Sequence, residues 1–163
     1  MNSSYLDEHE AHLTETGNPE SQRFLNLEGK PLIAPGLQRF AFESQGHRFD
    51  YNGNPRISIH LRIVGGEFDG VRLPRYYGVI IDDTGMVRIP SGQRSLLRRE
   101  SVGILGQLTT DLSGMAGLPL VGRVVTVTKD GDGDPIPISL HYSKVAKLFL
   151  ATPFILNSLG NQS

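Results

Sequence analysis

The clearest pattern along the chain is a period-two alternation of apolar and polar residues over positions 56–64. Isoleucine or leucine occupies every odd position from 57 to 63, and arginine, serine or histidine occupies every even position from 56 to 62. Because successive side chains of a strand point to opposite faces, one face is buried and the other carries cations. The segment Arg56–Val64 is therefore predicted to be a half-buried strand.

Shorter segments of similar character predict further strands, separated by clusters of glycine, proline, asparagine and aspartate. The predicted strands are Leu37–Glu43, Arg56–Val64, Val71–Ile81, Met86–Ile89, Val121–Thr128 and Ile136–Tyr142. Pro74 indicates an edge strand or a bulge, because proline cannot donate a ladder hydrogen bond. Apolar residues at helical spacing predict one helix beginning near Ser91 and a second at Ser143–Phe149.

About six short strands with one or two short helices predict a mainly β fold, and specifically a small, closed or partly closed, OB-like barrel. A β-sandwich is the alternative, and a mixed α+β sheet is the third choice. The 163 residues fit a single domain. Sparse hydrophobic residues and many acids predict a flexible acidic N-terminal tail at 1–30, which leaves a β-rich domain at 31–150 and a C-terminal tail at 151–163.

Composition limits the kinds of cross-link and metal site that the protein can form, and it indicates a cellular location. The chain has no cysteine, which excludes disulfides and thiolate metal sites. No apolar run is long enough to span a membrane, and the polar, acidic N-terminus is unlike a signal peptide. We therefore expect a cytoplasmic protein.

Charge is spread unevenly, although the formal net charge is only -1. Residues 1–30 contain six acids and two basic residues, whereas residues 56–99 contain eight arginines and four acids. Arginine presents a planar fork to phosphate and a flat face that stacks on bases. The middle of the chain is therefore predicted to form a cationic surface, and a solvated arginine-rich face without a ligand is the alternative.

No motif for catalysis, nucleotide phosphates or metal binding is found in the sequence. The loop Asp130–Asp134 resembles the start of a calcium loop, but His141 occupies the twelfth position where a glutamate is needed, so a solvated turn is favoured. An enzyme would need a site assembled from distant residues such as His60, His141, Asp82 and Asp83. We predict no catalytic residue, no metal site and no cofactor.

Aromatic and cationic residues on a β-surface are suited to single-stranded nucleic acid, because cations contact phosphates while rings stack on bases. Tyr76 and Tyr77 lie among such arginines, but Pro74 has to break the strand's alternation if both rings are to share a face. The alternative is that one tyrosine packs in the core. The predicted nucleic-acid-binding residues are Arg56, His60, Arg62, Arg72, Arg75, Tyr76, Tyr77, Arg94, Arg98 and Arg99.

Glycine and apolar spacing gives the chain a resemblance to small accessory proteins of phages, plasmids and integrative elements. The segments that carry it are Leu32–Gly36, Gly65–Val71, Gly122–Val127 and Tyr142–Val145. Some of those proteins are similar to single-stranded-DNA-binding proteins with an OB-like barrel, and the resemblance implies that fold for residues 31–150. Such proteins often end in an acidic tail, whereas the acids of this chain are concentrated near its N-terminus.

The predicted function is non-enzymatic binding of single-stranded nucleic acid, DNA or RNA. The alternative is a protein-interaction module, such as an inhibitor or assembly subunit of a mobile element, or a homo-oligomer joined through exposed strand edges. The first hypothesis depends on one geometric condition. The arginines between positions 56 and 75 and the rings of Tyr76 and Tyr77 must emerge together on one open face.

Overall fold

The computed structural model describes residues 24–92, 95–152 and 159, and these fold mainly as β-sheet. The elements are β1 (Gly36–Phe49), β2 (Pro55–Ile63), β3 (Arg72–Gly78), β4 (Ile80–Ile81), β5 (Val87–Arg88), α1 (Leu96–Leu105), β6 (Leu120–Val127) and β7 (Tyr142–Leu150), with short 3-10 turns at Ser113–Met115 and Ile138–Leu140. The strands predicted at 56–64 and 121–128 are confirmed to within one residue at each end.

Five strands form one antiparallel sheet in the order β3-β2-β1-β6-β7, and β4 pairs with β5 in a separate hairpin. In a flat sheet, the outer strands β3 and β7 would lie four strand spacings, or roughly 19 Å, apart. They nevertheless contact each other, so the sheet is strongly curled. No backbone ladder joins β3 to β7 within the described ranges. The mainly β fold is confirmed, whereas a closed barrel is not.

The core fills the inner face of the curled sheet. Every odd position of β2 from 57 to 63 is fully buried, as the alternation predicted. Helix α1 adds Leu97 and Ile104. It begins later than predicted, because the Ser95 hydroxyl accepts a hydrogen bond from the Arg98 amide and so caps the first turn. Within the described chain, no helix is long and apolar enough to span a bilayer.

Strand β1 continues six residues beyond its predicted end at Glu43. Its pairing with β2 shifts between Phe42 and Ser44, so Glu43 is the extra residue of a β-bulge. Phe42 therefore faces the core while Ser44 faces outward with the polar side of β2. The bulge also pushes the Glu43 carboxylate out among the arginines of the neighbouring strands.

The last strand corrects two predictions. Ile136–Tyr142 is not a strand, and Ser143–Phe149, predicted to be a helix, belongs to β7. The pairing of β6 with β7 skips Ala146, so this residue is an additional bulge. Because of the extra residue, Val145 and Leu148 are both buried although they are three positions apart. That spacing imitates the apolar spacing of a helix, which explains the wrong prediction.

Residues 24–30, which the sequence analysis assigned to the tail, belong to the folded part. The ring of Phe24 packs edge-on against Phe68, with 5.2 Å between ring centres. The side-chain amide of Asn26 donates a hydrogen bond to the Leu140 carbonyl oxygen at 3.2 Å. The predicted tails at 1–23 and 153–163 lie outside the described residues, apart from Leu159.

Gly122 lies where β6 passes closest to the core. A Cβ atom at this position would meet Cε2 of Phe40 at 2.8 Å and Cγ1 of Val145 at 3.1 Å. Phe40 and Val145 are both buried, so neither can move freely into solvent. Only glycine fits this position without a shift of the core.

We therefore expect Gly122→Ala to lower the free energy of unfolding by about 1–3 kcal/mol through overpacking. Gly46→Ala is the matched control, because Gly46 lies in the same sheet and a Cβ there meets only the Ser58 hydroxyl, at 3.4 Å. Urea unfolding measures both variants. Equal losses of stability would show that the contact with Phe40 does not constrain residue 122.

Candidate nucleic-acid interface

Strands β2 and β3 pair without any break in register. Arg62 lies opposite Arg72, and Ser58 lies opposite Tyr76, so the even-numbered positions of both strands share the outer face. Pro74 does lie on an outer strand, as predicted, but it does not reverse the alternation. Consecutive residues of β3 therefore point to opposite faces.

This geometry corrects the predicted site at two residues. Tyr76 is 36% exposed, whereas Tyr77 is fully buried and Arg75 is only 5% exposed. Neither Tyr77 nor Arg75 can contact a ligand on the outer face. The condition that the arginines and both rings emerge together is not met, because a strand with unbroken period-two alternation cannot place neighbouring residues on one side.

Arg75 instead forms a buried ion pair with Glu100 of helix α1. Its Nε atom donates a hydrogen bond to Glu100 Oε1 at 2.7 Å, and its Nη2 atom donates to Oε2. The Tyr77 hydroxyl donates to the same Oε1 atom at 2.7 Å. The guanidinium is thus bidentate on one carboxylate, and the strand, the helix and the tyrosine are held together in the core.

The same ion pair satisfies the free edge of β7. Arg75 donates hydrogen bonds to the carbonyl oxygens of Val145 and Ala146, and the Leu148 amide donates to Glu100 Oε2 at 3.1 Å. These are the bonds that an adjacent strand would otherwise make. The outer strands β3 and β7 are therefore joined through side chains rather than through a backbone ladder.

The pKa shifts in this cluster agree with its structural role. Burial raises the pKa of the Tyr77 hydroxyl far above its usual range, and the Glu100 carboxylate raises it further, so the hydroxyl remains a donor. Burial alone would lower the pKa of Arg75, but the hydrogen bonds and attraction of Glu100 outweigh it and raise the pKa. Arg75 is thus a permanent cation that is already fully partnered.

Two of the outer arginines share one carboxylate. Arg72 Nε lies 2.8 Å from Glu43 Oε1, and Arg62 Nε lies 3.4 Å from Glu43 Oε2. The hydrogen bond from Arg72 is the largest of several effects that lower the pKa of Glu43. Exposed ion pairs of this kind stabilise by only about 0–1 kcal/mol. They nevertheless reduce this cluster to a single net positive charge.

Tyr76 is held by an arginine that the sequence analysis did not include. The guanidinium carbon of Arg48 lies 5.1 Å from the centre of the Tyr76 ring, and its Nη1 donates to the Tyr76 hydroxyl at 3.1 Å. Arg48 pairs with Arg56 across β1 and β2, and Arg56 contacts Asp50 at 3.0 Å. Two cations and a ring thus meet at one end of the outer face.

Two adjoining cavities extend from this point. One, of about 510 Å³, lies between β3 and β7, and the other, of about 320 Å³, lies beside the turn after β1. Lys30, Arg56 and Tyr76 line both, so the two cavities share a wall. We call this surface the cationic groove, and its accessible cations and rings are Lys30, Arg48, Arg56, Lys144, Tyr51, Tyr76 and Tyr142. Arg75 also lines the larger cavity, but its guanidinium is buried and paired with Glu100.

The cationic groove combines positive charge with accessible rings. Among the described residues that line it, Asp50 is the single acid. The Lys30 ammonium lies 4.6 Å from the centre of the Tyr142 ring, and Tyr51, in the turn after β1, is 92% exposed. Cations that contact phosphates beside rings that stack on bases are the components of a single-strand-binding surface.

Three of the ten predicted site residues, Arg56, Arg75 and Tyr76, line the cationic groove, but Arg75 is buried and paired with Glu100. Three others lie on the same outer face further along β2 and β3, namely His60, Arg62 and Arg72. Arg98 and Arg99 lie on α1, outside the groove. Arg94 lies outside the described residues.

Sequence reasoning missed five groove residues, Lys30, Arg48, Tyr51, Tyr142 and Lys144. One signal was available, since Arg48 and Arg56 flank a short turn and are therefore cross-strand neighbours. No local signal could bring Lys30 to Tyr142, because 111 residues separate them in the chain.

The histidines and acids considered for catalysis are not joined by any described contact. His60 Nδ1 lies 3.3 Å from the Ser44 hydroxyl, and His141 Nε2 lies 3.2 Å from the Ile136 carbonyl oxygen. Asp82 is hydrogen-bonded within its own turn. Each group thus has a separate neighbour, and the described residues do not form an acid–base pair from them.

The acidic loop Asp130–Asp134 is a hydrogen-bonded turn. Asp130 Oδ1 accepts bonds from the amides of Asp132 and Asp134, both at 2.9 Å. The turns Asp50–Asn54 and Asp82–Met86 have the same pattern, each with a glycine of positive φ in fourth place. The carboxylate thus serves to shape the turn. No cluster of three potential metal ligands occurs among the described residues.

Comparison with known proteins identifies no relative of this chain. No family model, no curated protein and no solved structure matches it. The resemblance to accessory proteins of mobile elements therefore stays a prediction.

We expect Glu100→Gln to lower the free energy of unfolding by about 3–5 kcal/mol, because it leaves the Arg75 guanidinium buried without a counter-charge. The double variant Arg75→Met with Glu100→Gln removes that buried charge. Its loss of unfolding free energy should be much smaller than the summed losses of the single variants Arg75→Met and Glu100→Gln. Chemical unfolding of all three gives the coupling energy. Additive losses would mean that the two side chains do not act as a pair.

Proposed function

We propose that this protein binds single-stranded nucleic acid in the cationic groove. The observation that carries the proposal is the position of Tyr76, an accessible ring at the junction of two cavities with Arg48 against it and Arg56 beside it. Lys30 and Lys144 extend the positive charge into the larger cavity. The surface expected from sequence, on which Tyr77 and Arg75 had to emerge beside Tyr76, is not formed. The proposal therefore rests on a different surface, the cationic groove.

The energies favour exchange of Arg48 for a base on the Tyr76 ring. An exposed cation–π contact contributes about 0.5–1 kcal/mol, whereas a base stacked on an aromatic side chain contributes about 1–3 kcal/mol. Displacement also breaks the hydrogen bond from Arg48 to the Tyr76 hydroxyl, so the exchange is favourable when the guanidinium regains a partner. The released guanidinium is then available to a phosphate of the same strand.

An extended ligand fits the cationic groove better than a single nucleotide does. The two cavities are open and adjoin each other, and their accessible cations come from four separate segments: Lys30, Arg48 on β1, Arg56 on β2 and Lys144 on β7. A chain of phosphates can follow charges that are spread in this way. Stacking and backbone contacts bind many sequences alike, so we propose little sequence specificity.

We also infer that the curled sheet is a partly open barrel of OB-like form. The contact between the outer strands β3 and β7 supports this over a β-sandwich, in which two separate sheets would face each other. Origin in a mobile element and a cytoplasmic location remain part of this proposal, and they rest on the sequence alone.

A protein-interaction module is the second candidate, and a specific observation favours it. The β4–β5 hairpin exposes Ile80, Ile81 and Met86, at 50%, 43% and 60%. Ile80 and Ile81 are consecutive, so both faces of the hairpin carry apolar groups. By contrast, the bonds that Arg75 and Glu100 make to β7 leave less of that edge free for pairing between copies. Co-purification of a protein that resists nuclease treatment would favour this candidate.

Tyr76→Ala should weaken binding of a fluorescent oligonucleotide of 20–30 nucleotides by about fivefold or more, since it removes a stacking platform of about 1–3 kcal/mol. Fluorescence anisotropy at low salt measures the affinity, and the melting temperature shows whether the variant remains folded. Arg72→Ala is the control on the same face and strand, and it should have little effect. Failure of the unaltered protein to bind at low salt would refute the proposal.

Lys144→Ala should reduce the salt dependence of binding. Each phosphate neutralised on a single strand contributes about −0.7 to the slope of log K against log salt concentration. Loss of one contact should therefore make the slope less steep by about 0.7, and Arg99→Ala, outside the groove, should leave it unchanged. An unaltered slope for Lys144→Ala would place the phosphates elsewhere.

A further inference from the structure

The chain that precedes Phe24 enters the fold beside the cationic groove. Leu25 forms an antiparallel bridge with Pro31, and the Leu32 amide donates a hydrogen bond to the Phe24 carbonyl oxygen at 2.6 Å. Pro31 lines the larger cavity, and Lys30 lines both. Residues 1–23 are therefore attached about one strand spacing from the wall of the groove.

Charge complementarity connects this segment to the cationic groove. Residues 1–23 contain one arginine and five acids, Asp7, Glu8, Glu10, Glu15 and Glu20. Besides the buried and paired Arg75, the groove provides four cations and, among its described lining residues, one acid. A polyanion and a polycationic surface are thus joined within one molecule.

The segment is also short enough to stay near the groove. A random coil of this length has a root-mean-square end-to-end distance of roughly 24–29 Å. Such a short tether gives an effective concentration on the order of 1 mM near its attachment point. Even a weak contact between the acids and the cations would therefore be substantially populated at low salt.

We propose that the acidic segment 1–23 occupies the cationic groove of the free protein and competes there with nucleic acid. The competition rests on the proposed function, whereas the docking of the segment does not. A strand of nucleic acid displaces the segment because it adds base stacking to the charge contacts. Short or weakly charged ligands are then excluded, so the segment raises the selectivity of the groove.

A paramagnetic label tests the docking without any nucleic acid. The chain has no cysteine, so Thr14→Cys accepts a single nitroxide within the acidic segment. The label should broaden the amide signals of Lys30, Tyr142 and Lys144, and high salt should remove the effect. The control carries the same label in a segment whose five acids are replaced by their amides. Equal broadening in the two proteins, or none, overturns the proposal.

A mixed sample tests whether the acidic segment docks onto its own molecule or onto another copy. Labelled protein without isotope is combined with isotope-enriched protein without the label. Broadening within one molecule disappears in this mixture, whereas broadening that persists shows docking between two copies and overturns the intramolecular form proposed.

Affinity tests the competition. The variant in which the acids at positions 7, 8, 10, 15 and 20 are replaced by their amides should bind a 20–30-nucleotide oligomer more tightly than the native chain. We expect a gain of about threefold to tenfold at low salt. The difference should shrink at high salt. Tighter binding without charge-dependent broadening would indicate general repulsion and overturn docking. Charge-dependent broadening with no binding of the oligomer by either protein would leave docking intact and remove the nucleic-acid function.

Discussion

The buried ion pair between Arg75 and Glu100 joins parts of the structure that share no backbone ladder. Removing two charges from water is costly, and such a pair is stabilising only when its remaining hydrogen-bonding groups are also satisfied. Here β7 supplies those partners through Val145, Ala146 and Leu148. The ion pair thus joins β3 to β7 through side chains and holds α1 against both strands. We call this connection the side-chain seam.

The position of the cationic groove follows from this seam. Because β3 and β7 are joined at Arg75 rather than along a ladder, an open cavity remains between them. The alternation of β3 then gives neighbouring residues different roles. Arg75 is buried and forms the ion pair, whereas Tyr76 is exposed and presents its ring to the cavity. Arg75, which forms the ion pair, and Tyr76, the candidate binding ring, have different roles although they are neighbours in the sequence. Adjacent residues of a strand face opposite sides of the sheet.

Several local features were predictable from sequence, and two bulges limited the rest. The period-two pattern of β2, the edge position of Pro74 and the turn character of Asp130–Asp134 follow from nearest-neighbour chemistry. Glu43 and Ala146 each insert a residue into a strand, which shifts the alternation beyond them. The bulge at Glu43 interrupts the alternation of β1, so the strand was predicted to end there. The bulge at Ala146 gives β7 an apolar spacing that resembles a helix.

By itself, the sequence determined the strand-rich class, the buried face of β2 and the clustering of charge, because each depends on residues close together in the chain. The tertiary structure alone decided which cations are available. Arg75 is withdrawn from the candidate site because Glu100, 25 positions away, meets it in the core. Lys30 and Tyr142 enter the candidate site because the segment before β1 packs against the start of β7. Strand order and curvature set such distant contacts, and no local pattern encodes them.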